Sequence, residues 1–589
     1  MKVDVAIVGG GPGGSTVASF LKKHQPSLDV AILERDSFPR DHVGESQLPP
    51  TSQVLHDLGA WDKIEAERFP IKIGASYTWG KTTEPWVFGF IPESEIGDTT
   101  RPGKYEGWRR RVALQVDRSR YDQVLLQHAA SLGVHVLQPS RVTQVLSDGA
   151  SPDSHITGLV LEDGRRIEAR YYIDASGNAA VIRRELDIPV EVPTLLKNVA
   201  FWDYWTAPGL NRELLTNNTV RVLIRSVPFG WLWYIALSDD RTSVGLVCNA
   251  AYYKGQSESP EQLYHRAIQL EPQIAGLLAT AQSRGSVSTT TDWSYVASRA
   301  SGSNWFLVGE SLGFADPILA AGLTLTHTCA EHCAFTLLEL ERGQHDADWL
   351  RAQYAETQMR RVRQHIKFAE YWYSGNGLFT DVLSNCAAIA QQSGLTMTPQ
   401  EAFRWLSHGG VEDIPGQFVL GGLGLSGVKS VQQRFAHADG EESVAYLADG
   451  MNTFDLDLRD AAVSWMGLPN HGRIDRVEVL TRGASRLPKT GIYQMVFEVL
   501  EQHRTVEPIV RALQTRIAMS IPDNTNRKVA FQQAIFCLES MISQGWVRAS
   551  HTPGMPALSL KTPIEGEIVY TEKLGPNAPR PTARSSQQH

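Results

Sequence analysis

The stretch VDVAIVGGGPGGSTVASFLKKH, residues 3–24, limits the fold more than any other part of this chain. An apolar run too short for a helix leads into glycines, and a periodic helical pattern follows. Gly9, Gly11 and Gly14 satisfy G-x-G-x-x-G, and a second strand pattern, VAILERD, carries Glu34 at its end, 20 residues after Gly14. Strand, glycine turn, helix, strand and acid in this order make the Rossmann βαβ unit. The glycines let the backbone approach a pyrophosphate at the helix N-terminus, and the acid accepts from a ribose hydroxyl. The chain therefore begins as an α/β dinucleotide-binding fold. Only one such fingerprint occurs, so no second Rossmann unit for a nicotinamide nucleotide is expected.

At 589 residues the chain is expected to form two or three domains. A net charge of −8 argues against nucleic acid as a main partner. The five cysteines are scattered, which suggests no disulfide framework and makes a cytoplasmic location the default expectation. No apolar run is long enough for a membrane span, so no membrane partner is expected.

Two later segments favour FAD over NAD. YYIDASGNAAVIRREL (171–186) reads as a strand ending at Asp174 before Gly177. NWFLVGESLGFADPILAAGLTLTHTCAEHCAFTLLEL (304–340) reads as a strand, an irregular loop with Asp316 and Pro317, and a long apolar helix. This order resembles the flavin monooxygenase superfamily, in which the last loop and helix N-terminus hold the ribityl chain and ring. Within it, four stretches resemble the flavin-dependent halogenases. GWLWYIAL (230–237) is similar to the W-x-W-x-I-P signature, with Ala236 in place of proline. FPRDHVGESQLPPT (38–51) resembles the FAD-contacting loop and brings in Arg40 and Ser46. FPIKIGASYTWG (69–80) resembles the segment with the essential lysine, here Lys72. QVDRSRYDQVLL (115–126) resembles the helix start whose arginine, Arg118, lies near the flavin.

The resemblance spans roughly residues 1–375 and implies a site. Gly9, Gly11, Gly14, Glu34, Arg40, Ser46, Arg118, Asp316 and Leu323 would hold FAD, loaded as FADH2. Halide, chloride or bromide, would sit on the amides of Ala321 and Gly322. Oxygen and halide would yield hypohalous acid behind a wall formed by Trp231 and Trp233. Lys72 would relay it to an electron-rich carbon, either by hydrogen bonding or as a haloamine. Alternation along a strand puts both indoles on one face and Leu232 and Tyr234 on the other. A separate flavin reductase is the implied partner. The substrate is a small molecule, free or bound to a carrier protein.

The departures narrow the substrate. Gly309-Glu310-Ser311 replaces the usual Gly-Asp-Ala. Leu319 stands where tryptophan halogenases carry a glutamate, so a phenol, pyrrole or activated acyl carbon is expected rather than an indole. Chlorination is the expected reaction; hydroxylation by a two-component flavin monooxygenase is the alternative. Asp292 holds a position at which a few relatives esterify the flavin methyl group. His327, Cys329, His332 and Cys333 share one apolar helix and read as core packing, so no metal is assigned.

Fold and domains follow. Residues 1–375 form the α/β FAD-binding module, Rossmann-like and of flavin monooxygenase type, with a mixed substrate sheet inserted at about 70–115 and 190–295. Residues 376–485 read as a loop-rich helical connection, 486–560 as an α-rich, winged-helix-like region, and 561–589 as a disordered tail. A winged helix usually binds DNA, but these helices lack a dense basic stripe. Covering the substrate cleft is the preferred role.

Overall fold

A computed structural model describes residues 1–382 and 447–560, apart from 81–82, 92, 150, 291–293, 484 and 523. Asp292, the glycine-rich stretch 409–427 and the tail 561–589 lie outside the described residues.

Strand β1 (Lys2–Val8), helix α1 (Pro12–His24) and strand β2 (Val30–Leu33) form the βαβ start. All four β2 residues are buried, as in a parallel sheet covered on both faces. In the seven-stranded first sheet, β1 lies between β2 and Arg166–Asp174, parallel to both, and Trp305–Leu307 runs parallel beyond. Val8, Asp174 and Leu307 align in register, so three strands end at one level. Ligands of open α/β sheets bind outside such carboxyl ends. Asp174 itself is consumed structurally, its Oδ2 accepting from the amides of Ile182 and Arg183.

The glycines of the first turn do different work. A Cβ on Gly14 would stand 2.0 Å from the Gly9 carbonyl oxygen, so Gly14 permits helix to meet strand. Gly9 has φ +104°, a region open mainly to glycine. A Cβ on Gly11 would meet only Arg40 Nη2, at 3.5 Å. Gly14→Ala is therefore expected to destabilise the fold by about 3 kcal/mol or more, seen as a lost or lowered melting transition. Gly11→Ala should leave melting unchanged and weaken FAD about tenfold, read by flavin titration. Equal effects of the two would refute this division of labour.

The second sheet has nine strands and is mixed. Strand β3 (Ile71–Thr78) is buried along its whole length and runs parallel to Thr219–Val227, while Gly230–Ala236 and Arg241–Asn249 continue antiparallel. Helix Gly322–Arg342 packs on α1. Helix Ala347–Ser374 returns and puts Phe368, Trp372 and Tyr373 into the core of the second sheet.

The helical expectation for 376–485 is corrected where residues are described. Thr453–Leu456, Ala462–Asn470 and Arg473–Arg482 are strands, the last two joined into a meander with Ser485–Pro488. The turn between them places His471 (φ +44°) and Gly472 (φ +82°) in the left-handed region, which suits a two-residue hairpin. Strong alternation was present in RIDRVEVL, but its partner lay across a turn without an Asn-Gly or Asp-Gly signature. After the meander come helices Gly491–Gln502, Val506–Ser520 and Asn524–Ser543, and Val547–Ser550 pairs antiparallel with Thr453–Leu456.

Candidate active site

A cavity of about 760 Å³ lies where the two sheets meet. Of the fourteen residues singled out from sequence, twelve line it; Gly14 and Asp316 do not. At the nucleotide end, Gly9 and Gly11 of the turn and Pro12 and Gly13 of α1 line the cavity. Glu34 is fixed there, Oε2 accepting from Gly10 N at 2.6 Å and Oε1 from Asp36 N at 2.9 Å. Arg40 and Arg118 share the buried Asp122: Arg40 Nη1 donates to Oδ2 at 3.1 Å, and Arg118 Nε donates to Oδ1 at 2.7 Å. Arg118 also donates to the carbonyls of Val43 and Gly44, so it braces the loop that carries Ser46. Glycine amides, a helix N-terminus, a ribose-binding acid and two arginines match the charges of a dinucleotide. The open space at Gly11, which a side chain would narrow, fits FAD.

Lys72 lies on β3, with only 2% exposure. Its Nζ donates to the Gln47 carbonyl at 2.9 Å and stands 5.5 Å from the Phe90 ring centroid. Among the described residues it has no carboxylate partner. Burial alone pushes the amine down to about 7. It therefore reaches the cavity as a group poised between ammonium and free amine at neutral pH, which is rare for a lysine.

Trp231 and Trp233 share one face of Gly230–Ala236, with ring centroids 6.0 Å apart and planes at 55°. They are 1% and 5% exposed and line the cavity with Ile235, while Leu232 and Tyr234 belong to the core on the opposite face. Opposite Trp233 in register is Gly245, where a Cβ would fall 2.1 Å from the indole. The missing side chain makes room for the ring. Trp233 Nε1 donates to Ser243 Oγ at 3.1 Å.

Beyond the indoles, Asp316 opens the turn Pro317–Leu319, Ala320 follows at φ +56°, and Ala321 caps helix Gly322–Arg342. Ala321, Gly322 and Leu323 bring the start of that helix to the cavity. First-turn amides have no acceptor within the helix and sit at its positive end, so they suit an anion. Asp316 faces away from the cavity and takes three hydrogen bonds: from Ile318 N at 2.9 Å, Tyr373 OH at 3.2 Å and Asn198 Nδ2 at 3.2 Å.

Sequence reasoning passed over Glu45 and His42. Glu45 is buried on the cavity wall, accepts from Tyr204 OH at 2.9 Å, and has its carboxyl raised by burial. His42, beside it, is lowered to about 4, mainly by burial and then by Arg118. The partner Tyr204 lies 159 residues from Glu45, so no local pattern marked the pair. The helix His and Cys residues are packed inside: His327 bridges Thr16 Oγ1 (2.9 Å) and Tyr121 OH (2.7 Å), and His332 Nδ1 meets Gln358 at 2.8 Å.

Comparison with known proteins agrees with this geometry. The FAD binding domain family matches residues 2–369. The chain is 29% identical over 391 residues to the 1H-pyrrole-2-carbonyl-[peptidyl-carrier protein] chlorinase of Pseudomonas fluorescens, covering 64% of this chain and 85% of that one. It is 30% identical to the tryptophan 2-halogenase of Chondromyces crocatus, over 58% of this chain and 62% of the other. It is also 30% identical to the flavin-dependent halogenase armH3 of Armillaria mellea, over 58% and 68%. Among solved structures, the myxobacterial chondrochloren halogenase CndH has a TM-score of 0.56 at 28% identity, over 68% of this chain and 92% of that one. The flavin-dependent halogenase CmlS shares the fold, with a TM-score of 0.69 at 22% identity over 96% of this chain and all of that one, 100%. No described helix is long and apolar enough to cross a membrane. With a nucleotide cradle, an indole pair and a desolvated lysine opening on one cavity, and with relatives of this kind, the chain belongs to the flavin-dependent halogenases, enzymes that work with FAD and a halide.

Proposed function

We propose that this chain is the halogenating component of a two-component system, chlorinating an electron-rich carbon of a phenol, a pyrrole or an activated acyl group. The observation that carries this reading is the continuous cavity that runs from the glycine turn at Gly9 and Gly11 to Lys72 and the two indoles. Gly9, Gly11, Glu34, Arg40, Ser46, Arg118 and Leu323 hold the cofactor on the wall. Bound reduced FAD supplies the electrons that, with oxygen and halide, give hypohalous acid and water.

The chain's own residues do the rest. The amides at Ala321 and Gly322 hold the halide. Trp231 and Trp233 keep the organic acceptor away from the flavin side, and a small oxidant passes them. Lys72, titrating near neutrality, has two ways to hold the oxidant. As ammonium it donates a hydrogen bond to hypohalous acid. As free amine its lone pair takes the halogen, and water leaves. Excluding bulk water keeps the oxidant from loss in either case. Leu319 puts an apolar side chain on the cavity wall where a glutamate would offer a carboxylate to remove the proton from the halogenated ring. That favours acceptors already activated by their own oxygen or nitrogen. The substrate named for the pyrrole relative, a carrier-bound ring, is of this kind, and carrier delivery is part of the proposal.

Purified chain is expected to oxidise NADH slowly until a flavin reductase is added. Halogenated product, followed by mass spectrometry over free and carrier-bound acceptors, should then require chloride or bromide. Rapid NADH consumption by the pure chain would refute the two-component reading. Hydroxylated product independent of halide would replace halogenation with ordinary monooxygenation.

A further inference from the structure

One hydrogen-bonded chain joins the indole wall to the turn that precedes the halide amides. Trp231 Nε1 lies 2.7 Å from Tyr373 OH, and Tyr373 OH lies 3.2 Å from Asp316 Oδ1. The direction is set by chemistry. An indole nitrogen only donates, so the phenol oxygen accepts from Trp231 and has its own proton to give to Asp316. Asp316, 4% exposed, then accepts from Ile318 N and so holds the turn Pro317–Leu319 in shape. Its other oxygen accepts from Asn198 Nδ2 on strand Asn198–Thr206 of the same sheet as Trp231. A second tie is parallel: Tyr77 OH donates to the Ile318 carbonyl at 3.2 Å. Burial raises the Asp316 carboxyl to about 7, against the pull of its hydrogen bonds from Ile318, Asn198 and Tyr373.

We propose that Tyr373 and Asp316 are positioning residues that lock the Trp231 ring to the halide-bearing turn, so that the wall and the halide seat keep one fixed geometry. Neither residue lines the cavity, so both act through Trp231 and through the turn. Tyr373 comes from the end of helix Ala347–Ser374, and its ring packs edge-on against Trp79 at 5.7 Å between centroids. Removing only its hydroxyl therefore tests the link without removing the packing. This inference rests on the halogenase reading, in which Trp231 separates acceptor from flavin.

The test is a double-mutant cycle on the full chain with reductase, reading halogenated product per oxygen consumed. Tyr373→Phe is expected to lower that ratio about fivefold, the order of one lost buried hydrogen bond. FAD affinity should stay unchanged, and the missing oxidant should appear in a diffusible scavenger. Trp231→Phe removes the donor, so adding Tyr373→Phe to it should cost nothing further. In flavin-free protein labelled with 15N-tryptophan, the Nε1–H resonance that Trp231→Phe deletes should shift in Tyr373→Phe. A ratio within twofold of wild type in Tyr373→Phe, multiplying losses in the double variant, or an unmoved resonance would each overturn the inference. Failure of the wild-type chain to halogenate any acceptor would instead overturn the reading beneath it, and the inference with it.

Discussion

Replacing Lys72 with methionine is expected to cut halogenated product by about a hundredfold or more, the range for losing a group that handles the reacting species. FAD binding and oxidation of reduced flavin should be unchanged, because Lys72 contacts Gln47 and Phe90 and not the glycine turn. Methionine keeps the volume of the stem and removes the amine, so the β3 packing survives. The substitution also carries its own folding control. The wild-type amine falls from 10.5 to about 7 on folding. Between these values the unfolded chain binds more protons than the folded one, so this group makes stability rise with pH across that window and leaves the full penalty in place below it. The methionine variant lacks the penalty and should melt higher than wild type, with the gap widest near pH 7 and closing toward pH 10. Comparison of melting curves at pH 7 and 9 checks this. Near-normal product from a well-folded variant would remove Lys72 from the chemistry.

Opening the indole wall is expected to uncouple the enzyme. With Trp231→Leu and Trp233→Leu together, product per oxygen consumed should fall about tenfold and scavengable oxidant should rise in proportion. Leucine is chosen because truncating two buried tryptophans to alanine would cost about 6–10 kcal/mol, against a total stability of about 5–15 kcal/mol. Leucine retains an apolar side chain on each position yet shortens the wall on the face shared by Trp231, Trp233 and Ile235. Unchanged coupling in a folded variant would make the indoles ordinary core.

What the sequence made readable was local. The glycine turn and Glu34 fall within one βαβ unit, and their spacing is fixed by strand and helix lengths. The shared face of Trp231 and Trp233 follows from the period of a strand. The companions of these residues were not readable, because they arrive from far along the chain. Tyr373 meets Trp231 across 142 residues, and Gly245 faces Trp233 only once the register of two strands is known. Asp316 was marked as a cofactor contact because it stands in a loop that resembles one. Its side chain turns the other way, into the Asn198 and Tyr373 cluster. The state of Lys72 was also hidden. A lysine between two isoleucines reads as a strand residue facing solvent, and only the pairing of β3 on both sides, which sets Lys72 between Val220 and Ala113, with Gln47 and Phe90 against its amine, buries it.

The meander of the C-terminal third is seated on the flavoprotein module by backbone and side-chain contacts together, with Ile474 in that module's core and Arg476 over the Trp349 ring. The Gly472 carbonyl oxygen accepts from Arg342 Nη1 at 2.7 Å, and Gly467 N donates to Gln353 Oε1 at 3.2 Å. A Cβ on Gly472 would strike the His24 ring at 2.4 Å. The curated halogenases align with 54–64% of this chain, whereas the CmlS fold, at 22% identity, extends over 96% of it. Every described residue lining the chamber lies at or before His365, so the C-terminal third is attached to the flavoprotein module without supplying any of that wall.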